Sequence, residues 1–208
     1  MKNLRGLTVL TVGHSTHSYE RFLGLLRSVE VTAIADVRTS PFSRHQPHFN
    51  RDALKAELKL DQIAYSFLGK ELGGRPSHSG FYCEGVADYE RMAETKEFES
   101  GLVRVMEGAQ KYRIALMCSE HDPLDCHRCL LVGRDLAKRN VSVKHILSGG
   151  QIVSQQEIED RLLTMSRRES EDLFAPPNQR LAAAYRARSR KVAFAEPRIG
   201  PQAPMAAE

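Results

Sequence analysis

The sequence predicts an α/β protein: a largely parallel sheet with helices on both faces, followed by a C-terminal extension. Short apolar runs rich in β-branched residues alternate with segments whose apolar residues recur at the i, i+3, i+4, i+7 spacing of a helix. Strands separated by helices in this way are typical of parallel sheets, because each parallel connection has to cross the sheet. With 208 residues, 41% of them hydrophobic, the chain can bury a proper core.

The predicted elements follow one another regularly along the chain. The predicted strands are 8–12, 31–35, 63–68, 113–117 and 141–147. The predicted helices are one containing Tyr19 to Leu26, one after a cap at Asn50, 88–110 with a break near Thr95, 126–139, and one opened by Ser154 and ending near Leu163. Ser154 and Glu157 have the spacing of a capping box. Glycines and a proline predict an irregular loop over 69–85.

The composition predicts a single α/β domain over residues 1–165 and a basic tail, rich in Ala, Arg and Pro, over residues 166–208. The tail contains eight Arg or Lys against five Asp or Glu, a net +3 of the total +4. Within it, 180–191 fits either a basic helix or a solvated, disordered extension, and a basic tail is a possible contact for nucleic acid.

Apolar runs, cysteine spacing and net charge predict where the protein is found and which ligands it can bind. No apolar run approaches the length of a membrane span, and the polar N-terminus shows no signal segment, so we expect a cytoplasmic protein with no membrane contact. Cys118, Cys126 and Cys129 lie within twelve residues, a poor disulfide framework for a chain of this length. The net charge of +4 permits an anionic ligand without indicating nucleic-acid binding.

Reactive and charged residues follow every predicted strand. Ligands of open α/β sheets bind beyond the carboxyl ends of the strands, so these residues predict one polar site at that edge. The candidates in chain order are His14, Ser15, Asp36, Arg38, Ser43, Gly73, Gly74, Arg75, Cys118, Glu120, Cys126, His127, Arg128 and His145.

The residue types indicate anion binding next to a reactive group. Arginine forks suit phosphate or carboxylate, and the candidates are Arg38, Arg75 and Arg128. A thiol at a helix start has a lowered pKa, which makes Cys126, or else Cys118, a candidate nucleophile. Candidate acid–base groups are His14, His127 and Glu120. The alternatives are that Cys118 and Cys129 only pack in the core, and that Asp36 and Arg38 form only a structural ion pair.

Zinc binding is a further alternative. Cys126 and Cys129 have the spacing of metal ligands, and Cys118 with His127 or His14 would complete a tetrahedron. A single Cys-x-x-Cys is a weak signal, and the His-x-Glu element of nucleobase deaminases is missing upstream. We therefore assign no metal and no cofactor from the sequence.

The motifs together resemble the domain of unknown function 488 family. The residues that resemble it are Thr11–Ser15, Asp36–Arg38 with Pro41 and Ser43, Tyr65, Leu72–Arg75, Leu116–Glu120, Cys126–Arg128 and His145. Cys-Ser-Glu stands here where the family usually has Cys-Ala-Glu, and its motifs do not call for a cysteine at position 129. The resemblance implies an α/β fold and points to the same residues, with Tyr65 added, but it implies no reaction.

The residues predict an enzyme that acts on an anionic substrate, such as a phosphate-bearing small molecule, a nucleotide or a nucleic acid. Two other classes remain open. One is a non-catalytic anion-binding or nucleotide-binding module, and the other is a zinc or thiol-redox protein. No pattern in the sequence predicts an oligomeric state.

Overall fold

The computed structural model describes residues 6–166 and 176–196. The strands are β1 (Thr8–Gly13), β2 (Ala33–Asp36), β3 (Ala64–Phe67), β4 (Tyr82–Cys83), β5 (Val86–Ala87), β6 (Ile114–Cys118), β7 (Ser142–Ile146) and β8 (Ile152–Ser154). The helices are α1 (Tyr19–Arg27), α2 (Arg51–Leu60), α3 (Gly69–Leu72), α4 (Tyr89–Ala93), α5 (Lys96–Ala109), α6 (Arg134–Lys138), α7 (Gln155–Met165) and α8 (Pro177–Val192). Among the described residues, no helix combines the length and apolarity needed to cross a membrane.

The central sheet has six strands in the order β3-β2-β6-β1-β7-β8. The first five are parallel, and β8 pairs antiparallel with β7. The predicted largely parallel α/β fold is confirmed. Each predicted strand lies within one or two residues of a parallel strand, whereas the short β8 and the separate β4–β5 hairpin were not predicted.

Helices cover both faces of the sheet, and the alternation of side chains along the strands divides the core. In β6, Ala115 and Met117 pack on the face covered by α1 and α2. Ile114, Leu116 and Cys118 face the opposite side, where α4, α5 and the later helices pack. Because a strand turns successive side chains to opposite faces, the position of Cys118 follows from the strand register alone.

The strand order opens a crevice between β2 and β6. The connection after β2 leads outward to the edge strand β3, whereas the connection after β6 crosses β1 to reach β7. Neighbouring parallel strands whose connections leave in opposite directions open a crevice beyond their carboxyl ends. Asp36 ends β2 and Cys118 ends β6, so both lie beside this crevice.

The helix predicted over 126–139 is corrected by the structure. A 3₁₀ turn occupies Pro123–Asp125, the backbone of Cys126 is extended, a π-helical segment spans Arg128–Gly133, and only then does α6 begin. Single π turns accumulate at functional sites, where they redirect side chains. The predicted loop over 69–85 also contains α3, a 3₁₀ turn and β4, the first strand of the β4–β5 hairpin.

The tail contains a helix that packs on the sheet domain. Helix α8 has Ala184, Tyr185 and Ser189 buried, and it contacts α7. After α8, the Phe194 carbonyl accepts the amide of Ala87, and Ala195 bridges Val86. Of the two alternatives for 180–191, the structure shows the helix. The other predicted tail residues, 167–175 and 197–208, lie outside the described part of the chain.

Candidate functional site

Four potential ligand or catalytic groups converge where β6 and the following turn meet. The ligand-type atoms of Cys118, Glu120, Cys126 and His127 all lie within 4.8 Å of one another. We call these four residues the Cys–His–Glu cluster. Cys118 and Cys126 are only 2% and 1% exposed, so the sulfur atoms are shielded from solvent. Both are free thiols.

The orientation of His127 is set by the backbone. Its Nε2 donates to the carbonyl of Val37 at 2.9 Å, which assigns the proton of a neutral imidazole to Nε2. Nδ1 therefore faces the sulfur atoms, 3.7 Å from Cys118 Sγ and 3.9 Å from Cys126 Sγ. The cluster thus directs one imidazole nitrogen at two sulfur atoms, and against the opposing effect of burial the charge on Cys126 raises the pKa of His127.

The cluster has an uneven distribution of protons. Burial disfavours a thiolate, but the hydrogen bond from Cys118 and the charges of Arg128 and His127 hold the pKa of Cys126 well below its usual value. Burial and the charge on Cys126 raise the pKa of both Cys118 and Glu120. Cys126 Sγ and Glu120 Oε2 are 2.9 Å apart, a separation at which the pair shares a proton, because a thiolate and a carboxylate would repel each other.

Arg128 lies behind the cluster, in the protein interior. Its guanidinium is fully buried and donates to the carbonyl of Glu120 at 2.8 Å and to that of His121 at 3.3 Å. Its backbone amide donates to Cys126 Sγ at 3.4 Å. This position differs from the predicted fork on a substrate: Arg128 shapes the turn and places positive charge next to the thiols.

A second network surrounds Arg38. The carboxylate of Asp36 accepts from Arg38 Nε at 2.9 Å and from its Nη2 at 2.7 Å, and Tyr65 donates to the same carboxylate. Arg38 Nη1 donates to Nε2 of His14 at 3.3 Å. Burial, with the charge of Arg38, lowers the pKa of His14 to about 4, so this imidazole is neutral and acts as an acceptor. The Asp36–Arg38 ion pair, one of the alternatives considered from the sequence, is present in the structure.

A polar pocket of about 270 Å³ joins the two networks. Arg38 and Arg75 line it together with three members of the Cys–His–Glu cluster, Cys118, Glu120 and His127. Arg75 is exposed, and its guanidinium lies 4.9 Å from the ring centre of Phe194. Of the predicted arginines, Arg38 and Arg75 line this pocket, whereas Arg128 does not. Of the two candidate nucleophiles, Cys118 lines it and Cys126 does not.

Gly73 and Gly74 permit close packing, and Gly74 lines the pocket. A Cβ at Gly73 would lie 2.3 Å from the carbonyl oxygen of Gly69, and a Cβ at Gly74 would lie 2.7 Å from Cγ of His127. The sequence predicts close approach to a ligand for both glycines. In the structure they approach the protein itself, and Gly74 keeps His127 in position.

Three other predicted residues have structural partners away from the cluster. Ser43 organises its loop, with its amide donating to Asn50 Oδ1 and its Oγ accepting from the amide of Gln46. Ser15 donates its amide to the carbonyl of Ser119. His145 is fully buried, 2.8 Å from Thr11 Oγ1 and 2.9 Å from Gln155 Oε1. None of the three lines the pocket that contains the cluster.

Several residues that line the pocket were not among the site residues predicted from the sequence. Thr39, Ser40 and Ser119 directly follow predicted site residues and bring hydroxyl groups to the lining. Because they lie next to predicted site residues in the chain, their position alone could have identified them as candidates. Phe194 and Tyr89 also line the pocket, but their sequence neighbourhood offers no such signal, since only tertiary packing brings them there.

The fold and the cluster define an α/β protein with a polar pocket at the carboxyl edge of its parallel strands. The family model of the domain of unknown function DUF488 matches residues 18–134, more than half of the chain, and the chain belongs to this family. The matched span contains the whole Cys–His–Glu cluster and both pocket arginines, whereas His14, Ser15 and His145 lie outside it. No curated protein and no solved structure matches the chain.

Proposed function

We propose that the protein is an enzyme that acts on an anionic, phosphate-bearing substrate. The observation that supports this most directly is the composition of the pocket, where the side chains of Arg38 and Arg75 share a lining with Cys118, Glu120 and His127. A binding module would need only the arginines. Thiol and carboxyl groups with shifted pKa values, gathered in a cleft, are typical of catalytic sites.

Each arginine has a distinct role in this proposal. Arg38 is held rigidly, and its contacts with Asp36 and His14 use three of its five N–H donors. The remaining donors serve a phosphate in the pocket. Arg75 is exposed at the rim and provides the second positive charge, which also attracts an anion from solution.

The size of the pocket favours a small anion or the terminal phosphate of a larger substrate. A volume of about 270 Å³ lies at the low end of the range of small-molecule sites. A nucleotide or the end of a nucleic acid would place its phosphate between the arginines and extend outward past Phe194. The ring of Phe194 is half-buried and offers an apolar surface beside Arg75.

Thermal unfolding of wild type and Arg75→Ala tests the proposal with inorganic phosphate, sulfate, nucleotides and short oligonucleotides. A ligand at a hundred times its dissociation constant should stabilise the wild type by about 2.7 kcal/mol, and the variant clearly less. Arg27→Ala is the matched control, because Arg27 is an exposed arginine at the C-terminal end of α1, pairs with Asp61 and does not line the pocket. The best ligand is then assayed for turnover. Absence of any shift, or equal shifts in wild type and Arg75→Ala, would exclude this anion site.

A further inference from the structure

We propose that Cys118, Cys126, His127 and Glu120 bind one zinc ion beside the pocket. The distances within the cluster support this. Zinc bonds of about 2.3 Å to sulfur and about 2.0 Å to nitrogen, at tetrahedral angles, separate the sulfur and nitrogen ligands by about 3.5 Å. The observed separations from His127 Nδ1 are 3.7 Å to Cys118 Sγ and 3.9 Å to Cys126 Sγ. The sulfur and nitrogen atoms would therefore need little movement to hold an ion, whereas Cys126 Sγ and Glu120 Oε2, now 2.9 Å apart, would have to separate to about 3.5 Å.

The outer contacts of the cluster also match those of a metal site. A zinc-binding histidine donates its second ring N–H to a carbonyl or a carboxylate, which orients the ring and fixes the tautomer. His127 makes this contact through Nε2 with the carbonyl of Val37. Gly74 packs closely against the same imidazole, and with Nε2 held by Val37 the Nδ1 atom is directed at the sulfur atoms.

Zinc would balance the charge of this buried region. Two thiolates and a carboxylate contribute −3, zinc contributes +2, and the buried guanidinium of Arg128 contributes +1, for a sum of zero. Arg128 has carbonyl groups rather than a carboxylate as hydrogen-bond partners, and its Nε has no partner within the described residues. A buried cation is costly without adjacent negative charge, and the thiolates and carboxylate of a zinc complex would supply that charge.

The ligand set differs from the one suggested by the sequence spacing. Cys129 is fully buried, and its sulfur accepts a contact from Gln155 Nε2 at 3.9 Å, on the side of His145. It does not belong to the cluster. The fourth ligand is Glu120, whose carboxylate also lines the pocket. Thiolate and imidazole ligands in a tetrahedral arrangement favour zinc over the harder divalent cations.

The role of the metal rests on the proposed function, although its binding does not. With Glu120 as the fourth ligand, a phosphate oxygen could bind zinc only by displacing the Glu120 carboxylate, and it would then lie between the ion and the guanidinium of Arg38. The ion would then act as a Lewis acid toward that oxygen.

Metal analysis of the purified full-length chain tests the proposal. Protein purified without chelators, incubated with ZnCl₂ and desalted should contain stoichiometric zinc. Cys118→Ser and Cys126→Ser should lose it, and the matched control Cys129→Ser, which changes another buried cysteine, should retain it. Co²⁺ loaded into the wild type should give the intense visible bands of a tetrahedral thiolate complex, a readout that needs no variant.

The outcomes separate this proposal from the proposed function. Wild type without zinc and without the cobalt bands, or equal zinc loss in Cys129→Ser and Cys118→Ser, overturns the zinc site. If the cysteine variants fail to fold, the cobalt spectrum and zinc content of the wild type decide alone. Zinc without anion stabilisation overturns only the anion-binding enzyme, whereas anion stabilisation of a wild type that takes up no zinc overturns only the zinc site.

Discussion

Asp36 and Arg38 form a two-point ion pair at the end of β2, with both side chains buried and two N–H groups of the guanidinium donated to the carboxylate. Asp36→Asn would leave the Arg38 cation buried without its counter-ion. We expect a loss of roughly 3–5 kcal/mol in the free energy of unfolding, measured by urea denaturation.

The control for that substitution is an exposed ion pair. Arg27→Ala removes the Arg27–Asp61 pair, in which the Arg27 side chain is 65% exposed, and should cost less than about 1 kcal/mol. Equal losses in Asp36→Asn and Arg27→Ala would mean that burial does not strengthen the Asp36–Arg38 contact.

Gly74→Ala should disturb His127. The added Cβ would lie 2.7 Å from Cγ of the imidazole, so the ring must move, at a cost of about 1–3 kcal/mol in stability. Calorimetry measures that loss, and competition with a chromogenic chelator measures the accompanying fall in zinc affinity.

Gly24→Ala is the matched control for Gly74→Ala. Gly24 is exposed within α1, and a Cβ there meets nothing within 4 Å. An alanine in mid-helix should stabilise the protein by about 0.5–1 kcal/mol relative to glycine. If Gly74→Ala were as stable as Gly24→Ala and bound zinc normally, the packing of Gly74 against His127 would have no consequence.

His145 should make the protein sensitive to acid. Burial lowers its pKa from 6.5 to about 4, so between these two values the unfolded chain binds a proton that the folded chain does not. The stability contributed by neutral His145 is present above pH 6.5 and is lost as the pH falls toward 4, by about 3 kcal/mol in total.

Denaturant titrations of wild type and His145→Asn at several pH values check this. The effects of His14 and the carboxyl groups are common to both proteins and cancel in the difference between their free energies of unfolding. That difference should shrink as the pH falls from 6.5 to 4, because only the wild type loses the contribution of neutral His145. A difference that stays constant across this window would show that His145 is not the group responsible.

The hydrogen-bond chain from His145 to the tail helix should contribute to stability. Gln155 Nε2 donates to Tyr185 Oη at 2.6 Å, and Tyr185 donates to Glu159 at 2.8 Å. Tyr185→Phe leaves the buried Gln155 without this acceptor and should cost about 1–3 kcal/mol in thermal or chemical unfolding. Tyr112→Phe, at an exposed tyrosine, is the control and should have little effect, so equal behaviour of the two would contradict the prediction.

Elements with strong local signals could be predicted from the sequence. The parallel strands, the helix break at Thr95 and the capping box of Ser154 with Glu157 all appear in the structure. Each depends on residues close in the chain. The strand β8 and the β4–β5 hairpin are too short for a recognisable period, and pairing with neighbours stabilises them.

The sequence by itself determined which strand ends hold reactive residues, because parallel strands all present their carboxyl ends at one edge of the sheet. Only the tertiary structure decided which of these residues meet. It placed Arg128 against backbone carbonyls, His145 against Gln155, and Phe194 at the pocket. The physical reason is that strand order and helix packing join segments far apart in the chain, and the direction of a side chain depends on those distant partners.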